Sequence, residues 1–226
     1  MPIPETQRSS PRTLMRDRIR EEILKAILSG ILEPGERLAD DDLISWLGCS
    51  RTPVREALSD LAHAGFVEIV PNKHTRVAVP RAEEAVQVIQ TLGVLFGGAV
   101  RLATPVLPDP VRRQIVATLD TCLADLQNDD GLALNVHTYA AFDLFVDYCG
   151  NPHLQRVCHD TTAGLAYKLR LPNITEIFGQ PRLTRSYSAL RQATLDCDAI
   201  AAELAAETLH QLPAPCSESL LDAHTT

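Results

Sequence analysis

Between residues 14 and 29, apolar side chains recur every three to four positions, with Ile19, Ile23, Ile27 and Leu28 on one face and Gly30 just after. That spacing predicts an amphipathic helix over Leu14–Ser29. Pro34-Gly35 marks a turn. A second helical stretch covers 39–47 and stops at Gly48, and a third covers 52–64 and stops at Gly65. In the third, Val54, Leu58 and Leu61 recur at helical spacing and form the stripe that should be buried. Ser50 or Thr52 can cap this helix, and Pro53 fits only in a first helical turn. The period then switches to two. Phe66–Val70 and Thr75–Val79 alternate, with Pro71-Asn72-Lys73-His74 between them, which predicts a β-hairpin.

Beyond a short linker at 80–82, no stretch carries a convincing strand pattern. Helical periodicity runs through 82–104, 110–128, 132–149, 153–171, 181–195 and 198–212. The breaks fall at Pro105/Pro108, Asp129-Asp130-Gly131, Gly150-Asn151-Pro152 and Leu171-Pro172-Asn173. The fold class expected is mainly α, with an N-terminal winged helix-turn-helix over 13–79 and an all-α bundle of six to seven helices over 83–212. The winged part would hold three helices and a β-hairpin wing. Residues 1–12 and 213–226 are polar and proline-containing, and read as a disordered and a flexible tail.

Length and composition narrow the class. A chain of 226 residues with 45% hydrophobic content allows one or two globular domains with ample core. No apolar run approaches the length of a membrane span, and the N-terminus has no secretory apolar region, so the chain is expected in the cytoplasm with no membrane partner. The six cysteines form no C-x-x-C pair and read as reduced, mostly buried thiols, Cys49 among them as a core filler. The net charge of −8 argues at first against an anionic partner. Its distribution changes that picture: residues 1–80 hold 11 Lys/Arg and 12 Asp/Glu, whereas 81–226 hold 10 and 17. Asp40, Asp41 and Asp42 open the second helix, where the helix dipole favours them, and the arginines cluster elsewhere.

Arg51 and Arg55 lie one turn apart at the start of the third helix and project to one side. Two guanidinium groups beside the hydroxyls of Ser50 and Thr52 suit phosphates and guanine edges. Lys73, His74 and Arg76 on the hairpin add candidates for phosphate or minor-groove contact. The run PGERLADDDLISWLGCSRTPVREAL, followed by AGFVEIVPN and an Arg-Val pair, resembles the N-terminal domain of GntR-type bacterial transcription regulators. A winged helix followed by an all-α bundle resembles the FadR-like branch of that group, whose C-terminal part is the FCD effector domain. CGNPHL at 149–154 and ALRQATLDCD at 189–198 carry this second likeness.

The resemblance implies a homodimer on a palindromic double-stranded DNA operator, repression of transcription, and a small-molecule effector in the bundle. The DNA contacts would fall on Ser50, Arg51, Thr52, Pro53, Arg55, Lys73, His74 and Arg76. Many FCD domains hold a divalent metal through one aspartate and three histidines. In this chain those positions fall on Thr138, Phe142, Tyr187 and Leu209, with His210 one place away. The Arg and Glu of the first bundle helix fall on Leu92 and Phe96. No metal cofactor is therefore expected. The effector pocket would be lined by Leu92, Phe96, Thr138, Phe142 and Tyr187, and would suit an apolar or uncharged molecule. An effector-free dimeric DNA-binding protein is the alternative, because a packed centre reads the same in sequence. A metal-dependent sensor using His137, Asp143, His159 or His210 is a further one. The usual hairpin-tip glycine is replaced by His74. No nucleophile–base constellation stands out, and Asp143/Asp147 read as a solvated helix face, so no enzyme is expected.

Overall fold

The structure is a computed structural model that describes residues 11–70 and 74–212, with side chains from residue 15 onward. Residues 1–10 and 213–226 of the expected tails, and the hairpin tip with Lys73, lie outside the described residues. The chain divides into two compact units, Met1–Pro80 and Arg81–Thr226. The architecture is mainly helical, with one two-stranded antiparallel sheet among the described residues, in the first unit.

In the first unit α1 spans Pro11–Leu28, α2 Asp40–Leu47 and α3 Arg51–His63. Helix α1 begins inside the stretch expected to be a tail. Pro11 explains this, because proline has no N–H to leave unpaired in a first turn and its φ is already helical. Ile19, Ile23, Ala26 and Ile27 bury one face of α1, while Leu28, expected on that face, is exposed at the helix end. Helix α2 ends where Gly48 takes φ 61° and donates its N–H to the Ile44 carbonyl. Ser50 holds the N-cap position of α3, but no side-chain oxygen caps the helix. Val54, Leu58 and Leu61 are buried as predicted, joined by Pro53 and Ala57.

The hairpin pairs β1 (Val67–Val70) with β2 (His74–Val77), in the register Val67↔Val77, Glu68↔Arg76, Ile69↔Thr75 and Val70↔His74. His74 is therefore a strand residue facing Val70. It is not the tip, and it is not among the residues with positive φ. The loop ahead of α2 runs beside β2. Gly35 donates to the Val77 carbonyl (3.0 Å), Val77 donates to Glu36 (2.9 Å) and Leu38 donates to Thr75 (2.8 Å). These bonds tie the wing to the start of α2, so the hairpin is positioned by backbone rather than by side chains.

The second unit contains α4 (Ala85–Ala103), α5 (Asp109–Gln127), α6 (Gly131–Asp147), α7 (Pro152–Lys168), α8 (Ile174–Phe178), α9 (Gln180–Leu195) and α10 (Ala199–Leu209). Short 3-10 turns flank α4. Helix α8 has no counterpart in the sequence-based expectation, since five residues are too few to display a 3.6 period. Three joints share one device. A residue in the left-handed region (Asp129, Gly150, Cys197) is followed at once by a side chain that caps the next helix. Asp130 accepts from Ala133 N–H, Asn151 from His153 and Leu154, and Asp198 from Ile200 and Ala201.

Helix α4 is the centre of this unit, packed against α10, α7 and α6. Contrary to the expectation from apolar run length, the stretch Ala82–Val106 is long and apolar enough to cross a membrane by length and composition. Half of it is buried inside the protein, the environment of a bundle's core helix. Two glycines set its distance from α10. A Cβ on Gly93 would stand 2.6 Å from the Cβ of His210, and one on Gly97 would stand 3.2 Å from Cγ of Glu207. His210 is 3% exposed, wedged edge-on against Phe96 (5.5 Å) and Phe142 (4.8 Å). Its Nδ1 lies 2.7 Å from the Ala206 carbonyl. A carbonyl can only accept, so Nδ1 carries the hydrogen, and burial disfavours a second proton on Nε2. Burial, only partly offset by that bond, lowers its pKa to about 4.

Two outcomes follow from this packing. Gly93→Ala forces α4 and α10 apart and should destabilise the fold by about 1–3 kcal/mol, read as a lower urea midpoint with unchanged helicity. Acid should also destabilise it. The unfolded imidazole protonates near 6.5 and the buried one near 4, so between those values the unfolded chain binds the extra proton. The stability tied to neutral His210 is complete above about pH 6.5 and is lost as pH falls through 4, on the order of 3 kcal/mol. In His210→Gln the urea midpoint should vary less between pH 7 and 4. An equal slope in both proteins would contradict this assignment.

Candidate functional site

On α3, burial of Val54, Ala57, Leu58 and Leu61 leaves Arg51, Thr52 and Arg55 exposed. Ser50 is exposed just ahead of the helix. These four residues form one face across the first turn and a half. Pro53, expected with them, is buried in the first turn and presents nothing to a ligand. The face is not bare cation. Arg51 donates to Asp41 at 2.5 Å and Arg55 to Asp40 at 2.8 Å. The arginines and the acidic first turn of α2 were expected apart, but the tight turn at Gly48–Ser50 sets them side by side. Both arginines remain more than half exposed, so these pairs are weak and can be exchanged.

The hairpin candidates fare differently. Arg76 donates through Nε and Nη2 to Oε2 of Glu68, its cross-strand neighbour, at 2.8 and 2.6 Å. That half-buried pair makes Arg76 a clasp of the hairpin first, and an available cation second. His74 is partly buried on β2. Lys73 lies outside the described residues.

The second unit encloses a cavity of about 60 Å³. Leu92, Phe96, Thr138 and Tyr187 line it, as the sequence suggested. Phe142 does not. It is fully buried behind Phe96, with ring centroids 4.7 Å apart and planes 19° from parallel. His210, Asn135 and Phe178 also line the cavity and were missed. The one-residue offset of His210 from an expected family position was the available signal, since Leu209 and His210 both reach the wall. The polar groups are linked in series. Thr138 donates to the Leu134 carbonyl at 2.6 Å, so the Tyr187 hydroxyl, 2.5 Å away, must donate to Thr138. Burial pushes the Tyr187 hydroxyl far above its ordinary pKa, and it stays protonated.

The residues do not fit a metal. At the four positions counted from the family pattern stand two hydroxyls bonded to each other, a stacked phenylalanine and a leucine. The three histidines of the alternative metal reading are occupied separately: His137 with Asp125 (2.6 Å), His159 with Asp147 (3.0 Å) and His210 with Ala206. Among the described residues no three His, Cys, Asp or Glu side chains converge on a point where an ion could sit. Asp143 is half-buried rather than fully solvated, and burial, with Asp147 nearby, raises its pKa. Cys49 is only partly buried, and Cys122, Cys149 and Cys158 are buried free thiols.

Comparison with known proteins agrees with the winged-helix geometry. Residues 15–77 match the family of bacterial regulatory proteins of gntR type. An uncharacterized HTH-type transcriptional regulator from the ttuE-ttuC' intergenic region of Agrobacterium vitis is 31% identical over 113 residues, 48% of this chain and 65% of that protein. The probable D-xylose utilization operon transcriptional repressor of Paenarthrobacter nicotinovorans is 33% identical over 98 residues, 43% of each chain. The chain thus spans between about two fifths and two thirds of these relatives. Two solved structures share the fold at low identity. A protein assigned as a GntR transcriptional regulator from Rhodococcus sp. RHA1 has a TM-score of 0.67 at 19% identity, covering 88% of this chain and 95% of that one. McbR/YncC of E. coli has a TM-score of 0.62 at 18% identity, covering 87% and 93%. With its three helices, its two-stranded wing and the match across residues 15–77, the N-terminal unit of this chain is similar to the gntR family of bacterial regulatory proteins.

Proposed function

We propose that this protein is a sequence-specific DNA-binding transcription regulator of the FadR-like, FCD-containing branch, acting in the cytoplasm as a homodimer on a palindromic operator. The observation that carries the reading is the exposed Arg51–Thr52–Arg55 face of α3, set opposite a fully buried stripe. A helix so divided presents its first turns to the major groove while its other side is held by the core. One such helix offers few base contacts, and a two-fold pair supplies the rest. Repression is the simpler sign, since occupying a promoter requires no further surface, and one relative is named a repressor. The bundle would hold a small uncharged effector whose binding shifts the population of DNA-competent states.

A second reading has a specific observation behind it. The cavity is small, and the Phe96–Phe142 stack fills much of the bundle's centre. An effector-free protein, with the bundle serving association alone, accounts for that too. Thermal-shift screening separates the two, because a ligand that binds only the folded state raises the melting temperature.

The DNA reading is tested on fragments selected from sheared genomic DNA. Arg51→Ala and Arg55→Ala should each weaken specific binding by about 1–3 kcal/mol if they read bases. An equal loss on all sequences, with a shallower salt dependence, would make them phosphate anchors instead. No change in either variant would remove α3 from the interface.

A further inference from the structure

We infer that the bundle cavity takes a small neutral hydrogen-bond donor, an alcohol or similar hydroxyl compound, whose O–H is received by Nε2 of His210. This rests on the reading of the bundle as an effector-binding unit, and names the chemistry of that site. Thr138 uses its hydrogen on the Leu134 carbonyl, and Tyr187 uses its own on Thr138. Asn135 gives one N–H to the Ala166 carbonyl at 2.9 Å. His210 gives its Nδ1 hydrogen to Ala206.

What is left over is mostly lone pairs: Nε2 of His210, the Tyr187 oxygen and Oδ1 of Asn135, against one spare Asn135 N–H and the Tyr139 hydroxyl, which can give or receive. His210 is the strongest acceptor of these, and among the described residues nothing else bonds its Nε2. No Lys, Arg, Asp or Glu lines the cavity, so a carboxylate or an ammonium would be buried without a partner. A ketone or ester brings a further acceptor to a wall of acceptors. A hydroxyl on an apolar body satisfies both halves of the wall. The small volume, about 60 Å³, limits the occupant to a molecule of a few heavy atoms.

Two probes of nearly the same shape decide the matter: 2-propanol, a donor, and acetone, an acceptor only. The full-length protein is labelled with 15N-histidine and titrated with each at about 1–100 mM, since so few atoms cannot bind tightly. The expected result is a saturable shift of the His210 Nε2 resonance with 2-propanol, and an affinity about tenfold higher than for acetone. Tyr187→Phe should keep the His210 response, because the ring nitrogen and not the phenol receives the donor. Equal affinity for the two probes would overturn the donor rule while leaving an effector cavity in place. Saturation by neither would overturn the inference and favour the effector-free bundle. Binding of 2-propanol that leaves Nε2 unshifted would overturn the assignment to His210. The DNA reading stands or falls separately, on the Arg51 and Arg55 variants.

Discussion

The close approach of α4 and α10 is the constraint on which the C-terminal unit depends. It exists because Gly93 and Gly97 offer no side chain where His210 and Glu207 arrive. With the two helices that near, His210 is pressed onto Phe96 and Phe142, and Leu209 reaches the cavity wall beside it. A larger residue at 93 would move the imidazole, and with it the ring nitrogens that His210 brings to the cavity. Glycine weakens a helix by roughly 1 kcal/mol relative to alanine, and here that loss is offset by packing that no other residue permits.

The same unit keeps its charges away from the cavity. Its acidic side chains serve as caps at Asp130 and Asp198, in surface ion pairs such as Arg191–Asp120 and Arg101–Glu203, and, at the buried Asp125, as the partner of His137. Inside, hydroxyls and amides are paired in chains that end on backbone carbonyls. A buried polar group is tolerable only when satisfied, and these chains leave acceptors rather than donors exposed to the cavity. The cavity wall, among the described residues, is thus free of carboxylates and cations without being wholly apolar.

Most of the architecture could be read from sequence. Helical and strand periods located α1 to α7, α9, α10 and both strands to within a few residues. Gly48 and the stripe of Val54, Leu58 and Leu61 located the recognition-type helix. What escaped did so for physical reasons. Helix α8 is too short to show a period. The first turn of α1 was hidden because Pro11 was counted as a loop residue, although proline opens helices well. Ser50 has the chemistry of a cap and the position of one, but hydrogen-bond geometry is not written in residue type. Phe142 and His210 lie on faces only tertiary packing decides, so the expected pocket lost one wall residue and gained another. The Arg–Asp pairs were invisible for the same reason: they join two helices whose angle is set by one turn.

In the proposed DNA-binding role, those pairs bear on the absolute affinity. A guanidinium already held by a carboxylate gains from a phosphate only the difference between two anions. Asp40 and Asp41 therefore act as internal competitors, present at fixed, high effective concentration beside Arg55 and Arg51. Random DNA, which offers backbone charge alone, must outbid them with little else. A cognate site adds base edges and shape to the same displacement. The displacement is common to both, so in the proposed role the acidic first turn lowers affinity for arbitrary and cognate sequence alike, and leaves the contrast between them to base edges and shape.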